Sequence, residues 1–321
     1  MNKAVAISPG KVILFGEHFV VIGSKALAMA IDLYARAEIK ESSWPSEIIS
    51  KETGIKGKIT KDLKILGPKE IEPIARLLSV IRSWGYNLPG FKAIISSDIP
   101  ISSGLGSSAA IASAFSVAYM KIIGHELDKK NLVTLSNEAE KVTHGNPSGV
   151  DSAAVVYGGI SLYRKGEGVI SNINELPRND YSFIIADTGV KRKTYLPVND
   201  VISLSKRFRS ILSLMLDAED RVIELAYESL KKGDYETLGQ LMNINQGLLN
   251  SLGVSSREIE EIVYEGRMAG AVGAKLTGAG RGGAVIVLCR SDTENEIINR
   301  LSSLSSWVKK IKIPPYGTHL V

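Results

Sequence analysis

The chain has 321 residues, 44% apolar and 23% charged, which supports a sizeable folded core in two domains and argues against disorder. Lys and Arg number 39 against 34 Asp and Glu, a formal charge of +5; this mild excess suits phosphate and carboxylate ligands and falls short of a nucleic-acid-binding surface. The single cysteine, Cys289, excludes an internal disulfide and a Cys-based metal site. Met1–Gly10 lacks the apolar region of a signal peptide and no apolar run is long enough to span a bilayer, so a cytoplasmic protein without a membrane partner is expected.

In chain order, Lys11–Glu17 reads as an apolar strand, followed by strands over Ala26–Ile31 and Ala35–Glu41, the second alternating apolar and polar positions. Ile71–Trp84 has helical spacing through Ile74, Leu77, Leu78 and Ile81, and Phe91–Ile99 is a strand closed by Pro100. A helix rich in small residues is expected over Ser107–Ile123, and another over Lys129–Thr143 with Leu132, Leu135, Ala139 and Val142 on one face. Ile160–Tyr163 reads as a short strand. The character changes near Arg178–Tyr181, where the strand Phe183–Ala186 opens a half dominated by helices. Helical patterns cover Val201–Lys231 and Asp234–Leu252, the latter stopped by Gly253. A further helix starts at Ser255 with Glu258 three residues on, and strands are expected over Gly282–Leu288 and Val308–Ile313. Both halves mix strands and helices without strict alternation, so the fold class is α+β, with domains at residues 1–178 and 179–321.

The most informative segment runs from Asp98 to Ala110: a strand ends, a loop carrying Gly104 and Gly106 turns, and a helix begins at Ser107-Ser108. Glycines let backbone N–H groups approach a ligand, and the helix start adds orphan donors and the positive end of the dipole, together an anion site suited to a polyphosphate. Taken alone, the same residues also read as a tight turn with Ser107 as N-cap. The chain has no G-x-x-x-x-G-K-[ST], so this is not a P-loop. Gly278, Gly280 and Gly283 match G-x-G-x-x-G by spacing; a helical pattern precedes them and a strand follows, which rejects a dinucleotide fingerprint. Lys11, Glu17 and His18 flank the first strand. Glu140 near a helix end and Asp151 after a run of turn residues are able to return to one cleft, one to hold Mg²⁺ and one to orient or deprotonate a hydroxyl. The alternative for Lys11 is a surface position, and for Asp151 an N-cap. The four histidines form no zinc pattern.

Together these segments resemble the GHMP kinases. Lys11–Gly23, Pro100–Ala110 and Lys275–Ala284 look like the family's three motifs, in order, across nearly the whole chain. The resemblance implies a ribosomal protein S5 domain 2-like N-terminal domain and a ferredoxin-like C-terminal domain with the active site in the cleft between them. It implies ATP and Mg²⁺ as cofactors, with Pro100, Ser103, Gly104, Leu105, Gly106, Ser107, Ser108 and Ala109 around the phosphates and Ser108 and Glu140 on the metal. Asp151 becomes the general base or orienting carboxylate and Lys11 the cation at the accepting hydroxyl. Gly-Glu-His18-Phe-Val-Val and His144–Asp151 are similar to the branch of the family that phosphorylates mevalonate. That likeness puts Glu17, His18, Gly145, Ser148, Arg192 and Thr194 on the acceptor side and makes mevalonate and ATP the partners. Rival readings are a kinase for phosphomevalonate, for another mevalonate hydroxyl or for homoserine, and a silent sensor, which is expected to lose Asp151, Glu140 or Lys11. Arg281 departs from the glycine of many relatives and reads equally as a phosphate contact or a surface residue. The sequence does not specify an assembly; a homodimer is the default expectation.

Overall fold

A computed structural model describes residues 2–100, 103–145, 147–178, 180–190 and 195–321. Two antiparallel-rich sheets dominate. Strand β1 (Lys3–Phe15) runs against the 18-residue β2 (Lys25–Ser42). The sequence suggested two strands here; one continuous strand forms, with an irregularity opposite Pro9 and Gly10 that bends it near Asp32. Beyond the bend β2 pairs with β6 (Gly90–Ser97), which also pairs in parallel with β3 (Ser46–Ser50). Strands β4 (Lys56–Ile59) and β5 (Ile65–Leu66) complete that edge. Before the bend β2 pairs with β7 (Ile160–Arg164), and β8 (Gly168–Ile173) follows on β7.

Among the described residues, four α-helices belong to this half: α1 (Glu72–Ser83), α2 (Ser107–Ile122), α3 (Lys129–His144) and α4 (Val150–Tyr157). Helix α2 is built from Ala and Ser over most of its buried face, so its axis packs close to β1 and β2. Asp128 caps α3 by accepting from the Asn131 N–H at 2.7 Å, as the position before a helical run favours.

The second sheet has the order β10-β11-β9-β12, from β9 (Tyr181–Asp187), β10 (Gly273–Leu276), β11 (Ala284–Arg290) and β12 (Trp307–Ile311). Counted within this half the order is 4-1-3-2, all antiparallel, which is the ferredoxin-like arrangement. Helices α5 (Tyr195–Arg207), α6 (Arg209–Lys232), α7 (Tyr235–Ser251) and α8 (Arg257–Met268) lie between β9 and β10, and α9 (Glu294–Ser302) between β11 and β12. The single helical pattern over Val201–Lys231 is thus two helices broken at Phe208, and the helix expected from Ser255 is capped at Ser256 instead. Strand β10, not a helix, precedes the last glycine run. That run is the turn of a β-hairpin, so the dinucleotide reading fails because no helix opens after it.

Both faces of the second sheet are covered. Phe183, Ile185, Ile286 and Leu288 share a core with Val12, Leu14 and Met29 of the first sheet, whereas Ile184, Ala186, Val285 and Val287 pack under α8 and α9. The period of two explains why these strands read as unbroken apolar runs. The halves therefore share one hydrophobic core. The chain end also crosses back, as β13 (His319–Leu320) pairs with β1 and the Val321 N–H donates to the Val5 carbonyl, so the last residues of the expected 179–321 unit lie on the first sheet. No helix among the described residues is long and apolar enough to cross a membrane.

One side chain stitches the two sheets directly. Thr277, at the end of β10, accepts from the Ile13 N–H and donates to the Ile13 carbonyl, both at 2.9 Å and both buried. Thr277→Val keeps the shape and leaves two backbone groups of β1 without a partner, at about 1–3 kcal/mol each. We expect a total loss of about 2–4 kcal/mol in urea unfolding; a loss below about 1 kcal/mol removes Thr277 as the stitch.

Candidate active site

The site is organised around Lys11. The β1 strand delivers it beneath the loop that leads into α2, where it is 2% exposed. Its backbone N–H donates to the Leu105 carbonyl at 2.8 Å. Its Nζ donates to the Gly104 carbonyl at 2.9 Å and pairs with Asp151 Oδ1 at 2.9 Å. Three segments distant in sequence, at positions 11, 104 and 151, thus meet on one ammonium group. A surface position for Lys11 is excluded by its burial.

The loop around Gly104 and Gly106 needs its glycines. Both have φ +80, in the left-handed region, and a Cβ on Gly106 would lie 2.7 Å from Lys11 Cγ. Gly106 itself is the N-cap of α2, and Ser107 is the first helical residue, not the cap. The expected phosphate residues divide by orientation. Ser103 is buried and donates to the Pro100 carbonyl at 2.7 Å. Leu105 and Ala109 are buried in the core. Gly104 is exposed, and Gly106, Ser107 and Ser108 are partly exposed, so these four present the helix start to the cleft. The donors on offer are mainly backbone N–H groups at the positive end of a 16-residue helix.

Asp151 sits in the first turn of α4 and Gly149, with φ +92, is that helix's N-cap, which sets aside the reading of Asp151 as a cap. A Cβ on Gly149 would come within 2.4 Å of the Tyr163 hydroxyl, which donates to the Ser148 carbonyl at 2.7 Å. Strand β7 therefore fastens the turn that aims Asp151. Tyr163 was not singled out in the sequence; only its position on a strand facing α4 reveals it. Gly145 ends α3 with φ +74, and Glu140, one turn before that end, is buried.

Glu140 and Ser108 offer one carboxylate and one hydroxyl, both hard oxygen donors. Among the described residues no three His, Cys, Asp or Glu side chains gather as a metal site. This set fits Mg²⁺, which takes one or two carboxylates and completes its shell with phosphate and water, and it does not fit a protein-enclosed zinc.

Expectations on the acceptor side need correction at Glu17. It is fully buried and ion-paired with Lys275, so its carboxylate presents no surface to a ligand. Burial pushes its carboxyl up, and burial likewise pushes the Lys275 ammonium down. His18 is held with Nε2 2.9 Å from the Ala279 carbonyl oxygen of the last glycine run. Arg192 and Thr194 lie outside the described residues. The Arg281 guanidinium pairs with Asp200 of α5 and donates to the Gly253 carbonyl, which places it on neighbouring protein groups.

Lys275, Glu219 and Asn245 were missed by sequence reasoning. Lys275 was visible only as the first residue of a glycine run, and Glu219 only as one charge in a long helix. A charge bordered by apolar residues on the buried face of α6 was the available signal.

Known proteins resemble this chain over nearly its whole length. The family of GHMP kinase N-terminal domains matches residues 72–159, and that of GHMP kinase C-terminal domains matches residues 226–305. A mevalonate kinase from Aeropyrum pernix is 39% identical over 308 residues, covering 94% of this chain and 93% of its own. The crystal structure of the Methanococcus jannaschii mevalonate kinase superposes with a TM-score of 0.83 at 30% identity, covering 97% of this chain and 98% of the other. That of an L. major mevalonate kinase in complex with R-mevalonate superposes with a TM-score of 0.81 at 31% identity, covering 99% and 97%. With two family domains matched in order and near-complete coverage by relatives at 30% identity or more, the chain belongs to the GHMP kinase family.

Proposed function

We propose that this chain transfers the γ-phosphoryl group of ATP to the primary hydroxyl of (R)-mevalonate, with Mg²⁺. The observation that carries the reading is the Lys11 ammonium held 2.9 Å from both the Gly104 carbonyl and Asp151 Oδ1, between a glycine loop and a carboxylate. The likeness to mevalonate kinases over almost the full chain supports the choice of acceptor.

Phosphoryl transfer is mostly positioning and charge stabilisation. The Gly104–Ser108 loop and the α2 N-terminus hold the phosphates through backbone donors. Ser108 and Glu140 would hold Mg²⁺, which when bound neutralises phosphate charge. Asp151 takes the hydroxyl proton or orients the hydroxyl in line. Lys11 stays beside the oxygen on which negative charge develops, and because it is already fixed by two partners it needs no rearrangement during transfer. His18 faces the acceptor, with Gly145 and Ser148 shaping the turn on that side. We also place Arg192 and Thr194 on the acceptor side, on the motif likeness alone. Residues 1–178 supply the phosphate and catalytic groups together with His18, Gly145 and Ser148, and the Lys275–Ala284 run of residues 179–321 closes over the phosphate loop.

An ADP-release assay on the purified chain against mevalonate, phosphomevalonate, homoserine and galactose tests the reading. Mevalonate is expected to give the highest kcat/KM; a higher value with another acceptor, or no turnover with any, overturns it. Asp151→Asn is expected to lower kcat by about a hundredfold or more while ATP binding and Tm stay near wild type. Near-wild-type turnover would remove Asp151 from the mechanism. Glu140→Gln is expected to raise the Mg²⁺ concentration for half-maximal rate by about tenfold or more. An unchanged Mg²⁺ titration would place the metal elsewhere.

A further inference from the structure

The turn after β1 is unusual backbone. Gly16 has φ +91, and a Cβ there would lie 2.4 Å from the Lys25 carbonyl oxygen. His18 has φ +59 while carrying a full side chain. Left-handed residues other than glycine persist where their surroundings over-determine them. Here each residue of the turn is held by a different group from the C-terminal half. The Gly16 N–H donates to Glu219 Oε1 of α6 at 2.9 Å, Glu17 pairs with Lys275 of β10, and His18 Nε2 meets the Ala279 carbonyl oxygen. Glu219 also accepts from Asn245 Nδ2 at 2.6 Å, and Lys275 Nζ donates to the Leu276 carbonyl at 2.7 Å.

Glu17, Glu219, Asn245 and Lys275 have no exposed surface. A buried charge cluster is a poor source of stability, because desolvation offsets the attraction and apolar replacements often serve as well. Its geometry is what an apolar set cannot reproduce: only an acceptor at position 219 meets the Gly16 N–H, and only a cation at 275 meets Glu17.

We propose that Glu219 and Lys275 are positioning residues for the alcohol acceptor, holding the Gly16–Glu17–His18 turn in its left-handed form so that His18 faces the substrate. This inference rests on the reading of His18 as an acceptor-side residue. The phosphates are assigned to the α2 start, to which none of the contacts holding this turn is made, so the proposal expects the affinity for ATP to stay unchanged. The cluster is also short of donors: Glu17 Oε2 and Asn245 Oδ1 are buried without a hydrogen-bond partner among the described residues. Burial, and then the nearby Glu17 charge, push the Glu219 carboxyl up to about 7. The groups facing it are Glu17 from the turn, Lys275 from β10 and Asn245 from α7; Asp220 on its own helix is turned to Ser24 and Lys25. Below about 7 Glu219 is neutral and sits beside Glu17 without repulsion; above it a second buried negative charge loosens the turn.

The test is the kinetic constants of wild type, Glu219→Ala, Glu219→Gln and Lys275→Met, with mevalonate and ATP varied in turn and thermal melts alongside. Glu219→Ala and Lys275→Met are expected to raise KM for mevalonate by about tenfold or more and to leave KM for ATP within about twofold. Glu219→Gln keeps an acceptor oxygen for Gly16 and is expected to restore KM for mevalonate to within about threefold of wild type. Both constants rising together, or an unmoved KM for mevalonate in folded Glu219→Ala, overturns the proposal. If the alanine variant does not fold, the pH series decides. KM for mevalonate in wild type is expected to rise from pH ~6 to ~8.5 while Glu219→Gln stays flat; equal slopes overturn the proposal. Wild type that turns over no mevalonate at all fails the proposed function, whereas active wild type with unsplit constants fails only this inference.

Discussion

Lys11 is an ammonium group with almost no exposed surface, and the arrangement of the cleft follows from the need to satisfy it. A buried cation without partners is strongly unfavourable, so the chain must bring an anion and an acceptor to it. Asp151 supplies the first and the Gly104 carbonyl the second. Both come from the beginnings of helices, α4 and the loop entering α2, so satisfying one side chain also aligns two helix N-termini on a common point. The same positive ends that help hold a carboxylate are suited to polyphosphate. Electrostatic pairing and anion binding are therefore one geometric arrangement.

Close approach is what makes this possible, and glycine is what permits close approach. Lys11 passes directly beneath Gly106, where a Cβ would collide with its Cγ, and Gly149 leaves room for the Tyr163 hydroxyl. At both places the backbone also has a positive φ, so steric space and conformation favour the same residue.

The second half of the molecule acts on the first through a seam at the end of β1. Thr277 pairs with both polar groups of Ile13, and the three residues after Phe15 are each engaged by the C-terminal half. Asp220 and Glu224 extend the seam along α6, to Ser24 and Lys25. Because the hydrophobic core is also continuous across the two sheets, the seam joins surfaces that are already packed. The buried ion pair of this seam contributes more geometry than stability in such a setting.

Much of this was legible in the amino-acid order. Glycine spacing, the strand–loop–helix pattern around Gly104, and the pairing of Glu140 with a turn ending at Asp151 are local signals, because turn chemistry and hydrophobic periodicity act over a few residues. The limits of α2 and α3 fell within two residues of expectation for the same reason. Other features depend on groups that meet only on folding. Glu17 reads as a pocket residue because charges near a motif usually face the ligand; its burial depends on Lys275, 258 positions away. The hairpin before Ala284 read as helix because β10 is only four residues long and both its faces are covered, which removes the alternation that marks a strand. Local chemistry thus marked the glycine loop, Lys11, Glu140 and Asp151 as candidates, while the burial of charges, the shared core and the return of the chain end to β1 were decided by tertiary packing, where the partners are set by distance in space and leave no pattern along the chain.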